Sequence, residues 1–372
     1  MRVILTGGGS GGHVNPALAI ANIIKTNEPD AEIIFVGTKR GLENDLVPKA
    51  GYELRHVNIS GVSRSLSPKN LLTATRLVTS QLEARRLIRE FRPDIVIGTG
   101  GYACWPCVKV ASAMGIPTML HEANAAPGLA VRRLASRIDT LLTNFEETKE
   151  RIGKCRRVVN VGMPMRGEFE RISKAEAREK LGLTDKEKYV ILSFGGSLGA
   201  PMVNRASLEV MRDLSSKRDD VVHYHSTGSR EYENSSAMFK EWGLEGCKNI
   251  HLAPYIYDMS YKMAAADLVI CRSGAMTLAE LTRMGVPAIL IPSPNVTDNH
   301  QHKNAKVLSD AGAAIIIDEK DFDGECVTNA ARELIDNSEK RRKMGERIAS
   351  FCDKDTGKKI FSEIEMLVKE KK

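Results

Sequence analysis

The residues best suited to chemistry fall in polar clusters that follow short apolar runs. His13 closes the stretch Gly7-Gly8-Gly9-Ser10-Gly11-Gly12, and His121-Glu122-Ala123-Asn124 follows Thr118-Met119-Leu120. A neutral imidazole accepts a proton near pH 7, and a carboxylate does so when its surroundings raise its pKa. His13, His121 and Glu122 are therefore all open as a general base, with His13 the first candidate. The second half carries Gly195-Gly196-Ser197-Leu198-Gly199-Ala200 and Arg272-Ser273-Gly274-Ala275-Met276-Thr277-Leu278-Ala279-Glu280. Glycines admit an anion close to the backbone, and N–H groups at a helix start favour a diphosphate. Glu280 suits two hydrogen bonds from a vicinal diol such as that of a ribose. Asn295-Val296-Thr297-Asp298-Asn299-His300-Gln301 reads as a polar loop whose amides suit sugar hydroxyls. Each feature also has a plain reading: a histidine capping a turn, an acid favoured by the dipole of a first helical turn, an ordinary surface loop.

The elements that must position these groups repeat. Val3–Thr6 leads into glycines and Ser10, and Val190–Ser193 leads into glycines and Ser197. Asp94–Ile97 leads into Gly98-Thr99-Gly100-Gly101, and Asp267–Ile270 leads into Cys271-Arg272-Ser273-Gly274. The same two signatures in the same order suggest an internal duplication at domain period. The runs are brief, β-branched and bounded by glycine, which favours buried strands. Further strands are expected at 31–36, 118–120, 158–161, 221–225, 288–291 and 314–317. Helical patterns alternate with them at 16–26, 71–90, 202–214 and 277–283. This alternation predicts an α/β chain of two doubly wound parallel sheets, their glycine loops opening on a cleft. The expected domains are 1–163 and 164–351, with a charged amphipathic helix at 352–372 packing back on the first.

At 372 residues the chain is long for one core. Charged content of 27% and hydrophobic content of 42% describe a globular protein. No apolar run approaches the roughly 18 residues of a membrane-spanning helix. The start lacks a secretory pattern, which points to the cytosol. Seven scattered cysteines fit reduced thiols. Cys104-Trp105-Pro106-Cys107 lacks the second pair a zinc site would need, so packing is the expected role. A formal net charge of +7 favours anionic partners. Nucleic acid is disfavoured, because aromatic content is only 5% and no recognised nucleic-acid module is present. Gly7-x-Gly9-x-x-Gly12 formally matches a dinucleotide fingerprint. Lys39-Arg40 stand where an NAD enzyme wants an acid, so an NADP-dependent oxidoreductase remains as an alternative.

The motifs at 7–13, 98–102, 121–124, 195–200, 272–280 and 299–301 together resemble the MurG family, in family order over nearly the whole chain. The resemblance implies a GT-B fold and a glycosyltransferase of peptidoglycan synthesis, with roles in cell wall biogenesis, cell shape and cell division. It implies inverting transfer of GlcNAc from UDP-GlcNAc to the 4-hydroxyl of the MurNAc of lipid I, giving lipid II. Ser10, Gly11, Gly12, Asn124, Arg166, Ser197, Ile256, Ala275, Met276, Thr277, Leu278, Ala279, Glu280 and Gln301 match positions that contact the donor in the family. Tyr102 joins them as a substrate-binding candidate from Gly-Thr-Gly-Gly-Tyr. Ile256 matches the residue whose backbone meets the uracil. Ser10 stands for the usual Thr, Ala123 for the usual Gln, and Cys104-Trp105-Pro106 for a smaller stretch. No cofactor and no obligatory metal are expected, since no Asp-x-Asp stands at a strand end. A UDP-GlcNAc 2-epimerase of the same fold is the other alternative.

The lipid-borne acceptor calls for a membrane surface. Between Arg64 and Arg92, Leu66, Leu71, Leu72, Leu77, Val78 and Leu82 supply apolar bulk, and Arg64, Lys69, Arg76, Arg85, Arg86, Arg89 and Arg92 supply charge. That pattern suits peripheral docking on anionic headgroups at the cytoplasmic face of the cell membrane. Cell-wall synthesis proteins are further expected partners.

Overall fold

The computed structural model describes residues 1–60, 69–165 and 172–371, with 69–75 as backbone only. The chain divides into two compact units, Met1–Arg166 with Asp353–Lys372, and Gly167–Cys352.

The first unit holds a seven-stranded sheet of order β3-β2-β1-β4-β5-β6-β7, from β1 (Arg2–Thr6), β2 (Glu32–Gly37), β3 (Glu53–His56), β4 (Ile95–Gly98), β5 (Thr118–Glu122), β6 (Thr140–Thr143) and β7 (Val158–Asn160). All of its pairings are parallel. Both faces are covered, which explains the unbroken apolar runs. Val3, Leu5, Ile95 and Ile97 pack on Ala17, Ile20 and Ile24 of the helix Gly11–Asn27 and on Ile360 and Ile364 of the helix Thr356–Glu370. Ile4, Ile34 and Val96 face Ala84 and Ile88 of the helix Lys69–Phe91, and Val108 and Ala111 of the helix Trp105–Ala113. The Arg157 guanidinium also holds the Glu363 carboxylate through two bonds, at 2.8 and 2.7 Å. Cys104 and Cys107 are buried in this core, and burial pushes both thiols up to about 12, which leaves them unreactive.

The second unit has a six-stranded parallel sheet of order β10-β9-β8-β11-β12-β13, from β8 (Tyr189–Phe194), β9 (Val221–Ser226), β10 (Ile250–Ala253), β11 (Leu268–Cys271), β12 (Ala288–Leu290) and β13 (Ala314–Ile316). The duplication read in the sequence has a counterpart in detail. The Arg2 N–H at the start of β1 donates to Asp94, just before β4, at 2.8 Å. The Val190 N–H in β8 donates to Asp267, just before β11, at 2.9 Å.

β3, β6 and β10 were not among the expected strands. β3 and β10 lie at sheet edges and are partly exposed, Glu-Leu-Arg-His being mostly polar and Ile-His-Leu-Ala a short run broken by a histidine, and β6 is a bare Thr-Leu-Leu-Thr. None of them carries the hydrophobic signal of a long buried strand.

Candidate active site

In each sheet the strand order reverses once, between β1 and β4 in the first unit and between β8 and β11 in the second. Neighbouring loops part there, and ligands of open α/β sheets bind at that point. All four glycine-rich segments read from the sequence leave the carboxyl ends of these four strands.

In the first unit the helix begins earlier than its apolar pattern indicates, at Gly11 with Ser10 extended before it. His13 is therefore the third residue of the helix, not a loop residue, and its N–H donates to the Ser10 carbonyl at 3.1 Å. Its Nδ1 lies 3.1 Å from the Thr99 carbonyl. A carbonyl only accepts, so this contact assigns the proton to Nδ1 and the lone pair to Nε2. The Thr99 hydroxyl in turn donates to the His13 carbonyl at 2.6 Å. The imidazole lies against Gly100 and Gly101, where a Cβ would come within 2.8 Å of Nδ1 and 3.0 Å of Cδ2. Tyr102 stands over Gly9, its Cε1 3.6 Å from where a Cβ would lie. Ser10 and Gly12 are exposed and Gly11 is half-buried. The structure thus gathers Ser10, Gly11, Gly12, His13 and Tyr102 at one strand edge.

Glu122 ends β5, the next strand along, and Asn124 follows it. The buried Glu122 carboxyl accepts the N–H and side-chain amide of Asn124 on one oxygen, at 2.9 and 3.1 Å, and the Gly128 N–H on the other at 2.8 Å. Burial pushes this carboxyl above its ordinary pKa, against the pull of those bonds. His121 is fully buried, with Nε2 donating to the Gly162 carbonyl at 3.1 Å. Burial takes its pKa down to about 4, so the ring is neutral at physiological pH.

In the second unit Ser197 is exposed in the loop after β8. After β11, the helix Ala275–Met284 starts behind an extended Gly274, and no side chain caps it. The N–H groups of Ala275, Met276 and Thr277 are therefore left for an anion. Leu278 and Ala279 are buried, so they offer a ligand only backbone. Glu280 is the sixth residue of this helix, past the first turn, so the simple dipole reading of an acid there does not apply. Among the described residues its carboxyl accepts no hydrogen bond and joins no ion pair, and burial raises its pKa to about 7. Gln301 lies in the first turn of the helix His300–Asp310, not in a loop. Its side-chain oxygen accepts the Ser293 N–H at 2.9 Å, and its carbonyl accepts the Ser273 hydroxyl at 2.9 Å. Asp298 and Asn299 just before it both take left-handed backbone, with φ of 55° and 51°. Ile256 is buried between the exposed Tyr255 and Tyr257 in the segment after β10. Arg166 lies outside the described residues.

Sequence reasoning passed over three participants. Thr99 lies inside the Gly98-Thr99-Gly100-Gly101 motif, where nothing local marks its contact with His13. Glu43 sits behind the first glycine loop, and only the nearby Gly37 and Gly41 hinted at close packing there. Glu319, far along the chain, pairs with Arg272 at 2.5 Å, and no local pattern signals it.

Switch-point glycine loops in both sheets, an uncapped helix start and a carboxyl one turn on that has no partner among the described residues fit a nucleotide-sugar enzyme of the GT-B class. Residues 3–143 match the glycosyltransferase family 28 N-terminal domain and residues 190–360 its C-terminal domain. The UDP-N-acetylglucosamine–N-acetylmuramyl-(pentapeptide) pyrophosphoryl-undecaprenol N-acetylglucosamine transferase of Acetivibrio thermocellus is 40% identical over 100% of this chain and 99% of its own. The enzyme of the same name from Thermoanaerobacter pseudethanolicus is 39% identical over 99% and 100%. The crystal structure of Acinetobacter baumannii MurG superposes with a TM-score of 0.79 at 26% identity, covering 98% of this chain and 99% of that one. A UDP complex of S. aureus MnaA, at 15% identity and a TM-score of 0.71 over 99% and 97%, shares the fold. The chain belongs to the MurG family of glycosyltransferase family 28 and is a UDP-GlcNAc-dependent glycosyltransferase.

Proposed function

We propose that the chain transfers GlcNAc from UDP-GlcNAc to the 4-hydroxyl of the MurNAc of undecaprenyl-diphospho-MurNAc-pentapeptide, with inversion at the anomeric carbon. The acceptor oxygen forms its bond to C1 as the bond from C1 to the diphosphate oxygen breaks. UDP leaves with the electron pair, and the acceptor proton passes to His13 Nε2. The likeness to a named transferase 40% identical over the full chain supports the substrates, and the Nδ1 contact to Thr99, which assigns the lone pair to Nε2, supports His13 as the base. His121 is less suited, being fully buried with Nε2 given to Gly162. Glu122 has both oxygens engaged and serves to shape the Asn124–Gly128 turn. On the donor side, the N–H groups of Ala275 to Thr277 take the growing charge of the diphosphate, with Ser197 and Arg166 as helpers. Glu280 accepts the ribose diol, and the Ile256 backbone meets the base.

The acceptor's lipid places the reaction at a membrane, and we assign the helix Lys69–Phe91 to peripheral docking on its cytoplasmic face. Among the described residues no helix is long and apolar enough to cross. Val78 and Leu82 are 60% and 66% exposed, one turn apart, and Arg85, Arg86 and Arg89 continue the exposed surface of the same helix. Arg64 and Leu66, and the side chains of Lys69, Leu71 and Leu72, lie outside the described residues.

The test is His13→Ala with UDP-GlcNAc and a lipid I analogue. Turnover should fall by roughly 10²–10⁴, with UDP binding kept. Unchanged turnover removes His13 from the chemistry, and UDP release without acceptor would favour the epimerase reading.

A further inference from the structure

Behind the loop that leads to His13 lies a buried charge that the transfer described above does not use. Glu43 opens the short helix Glu43–Lys49 and is fully buried. One carboxylate oxygen accepts the Thr38 N–H at 2.9 Å and the Thr38 hydroxyl at 2.8 Å. The other accepts the Gly9 N–H at 2.8 Å. Burial pushes this carboxyl up, but the N–H groups of Gly9, Thr38 and Glu43 itself, with the Thr38 hydroxyl, outweigh burial and hold it below its ordinary pKa. Among the described residues no lysine or arginine pairs with it; the charge is met by N–H and O–H donors alone.

Three glycines make room for this carboxylate. A Cβ on Gly8, Gly37 or Gly41 would come within 2.5, 2.7 or 1.9 Å of its side-chain atoms. Gly8 and Gly9 belong to the His13 loop, and the Gly8 carbonyl in turn packs 2.7 Å from where a Gly101 Cβ would lie. One residue on, the Ser10 carbonyl accepts the N–H groups of both His13 and Val14 and so starts their helix. A continuous chain of contacts thus runs from Glu43 through Gly9 and Ser10 to His13.

We propose that Glu43 is a positioning residue for the transfer, its carboxylate fixing the Gly8–Ser10 loop through the Gly9 N–H and thereby setting where His13 stands. The proposal rests on His13 as the base. A residue that only supports the fold would change stability. One that sets the base changes turnover at constant donor affinity, because misplacement by about 1 Å costs roughly a hundredfold.

Glu43→Gln tests this with little change of volume. The amide has one acceptor oxygen where N–H donors need two, so a donor at Gly9 or Thr38 meets an amide N–H. The expected result is a kcat at least tenfold lower, a UDP-GlcNAc KM within twofold of the parent, and faster hydrogen exchange over residues 7–13. Glu43→Asp, still charged but a methylene shorter, should not restore kcat. Gly41→Ala, which displaces the carboxylate without removing it, is read in the same way should Glu43→Gln fail to fold. In a His13→Ala background Glu43→Gln should add no further loss. A Glu43→Gln kcat within twofold of the parent overturns the proposal, as does an equal loss in both backgrounds. A His13→Ala enzyme with full turnover sinks the base assignment itself and this proposal with it. A slow His13→Ala enzyme with an additive Glu43→Gln loss sinks only the proposal.

Discussion

Thr99 and His13 bind each other twice. The Thr99 hydroxyl donates to the His13 carbonyl at 2.6 Å, and His13 Nδ1 donates to the Thr99 carbonyl at 3.1 Å. The residues lie 86 positions apart in the chain. They meet because β1 and β4, remote in sequence, are neighbours in the sheet. The first bond anchors the start of a helix to the next loop, and the second fixes which nitrogen carries the proton.

Gly100→Ala probes that arrangement directly. Gly100 has φ of +97°, and its Cβ would sit 2.8 Å from His13 Nδ1. The left-handed backbone costs an alanine about 1–2 kcal/mol, and the methyl pushes the ring aside. Turnover should fall roughly a hundredfold with donor KM unchanged, while thermal melting shows a drop of only several degrees. Turnover near that of the parent would mean that the ring position is not critical.

The proposed diol contact of Glu280 predicts a donor affinity that depends on pH. Its carboxyl, raised to about 7 by burial, ionises as pH climbs through neutrality. The ionised form accepts one hydroxyl of a diol on each charged oxygen, whereas the protonated form turns one oxygen into a donor and loses the charge. Calorimetry with UDP should show tighter binding at pH 8 than at pH 6. Glu280→Gln should bind about tenfold or more weakly at pH 8 and lose the pH dependence, since hydrogen bonds to charged groups contribute about 1.5–3 kcal/mol.

Buried histidines set acid lability. Burial takes His121 and His225 to about 4 and His223 well below its ordinary value of 6.5. Unfolded histidines bind protons near 6.5, so the unfolded chain holds more protons than the native one below that pH. The stability that these neutral rings contribute is complete above pH 6.5 and is lost as pH falls toward 4. Glu280 and Glu122, both raised by burial, act in the opposite sense, opposing folding more as pH rises from 4.5, but the lowered histidines, with His251 among them, outnumber these two carboxyls. Melting temperature should therefore drop between pH 6.5 and 4.5, and His225→Gln should flatten that slope. A melting temperature that holds level across this range would contradict the buried-histidine account.

The membrane docking proposed for the helix Lys69–Phe91 predicts that its arginines carry the attachment. Each basic residue near an anionic surface contributes about 1 kcal/mol. Replacing Arg85, Arg86 and Arg89 together by Gln should weaken sedimentation with phosphatidylglycerol vesicles about a hundredfold and leave UDP binding intact. Equal binding to neutral and anionic vesicles by the parent chain would refute the assignment.

The C-terminal helix Thr356–Glu370 offers a further measurable contact. Ile364, fully buried against the helix Gly11–Asn27, should cost about 2–5 kcal/mol when cut to Ala. A loss below 1 kcal/mol would show that the C-terminal helix adds little to the first unit.

What the sequence by itself determined is the set of parts. Apolar runs ending in glycine marked β1, β4, β8 and β11, because a strand covered on both faces must be apolar throughout. The places of Ser10 to His13, of Glu122 and Asn124, and of Ala275 to Glu280 were legible for the same local reason: each lies at or just past the end of an apolar strand. Only the tertiary structure decided what those parts do to one another. It placed His13 inside a helix and tied it to Thr99, gave both oxygens of Glu122 to a turn, left Glu280 with no partner among the described residues and put Glu43 behind the glycine loop. Hydrogen bonds and burial between residues remote in sequence fix protonation and orientation, and a one-dimensional pattern carries no record of which distant donor an oxygen will meet.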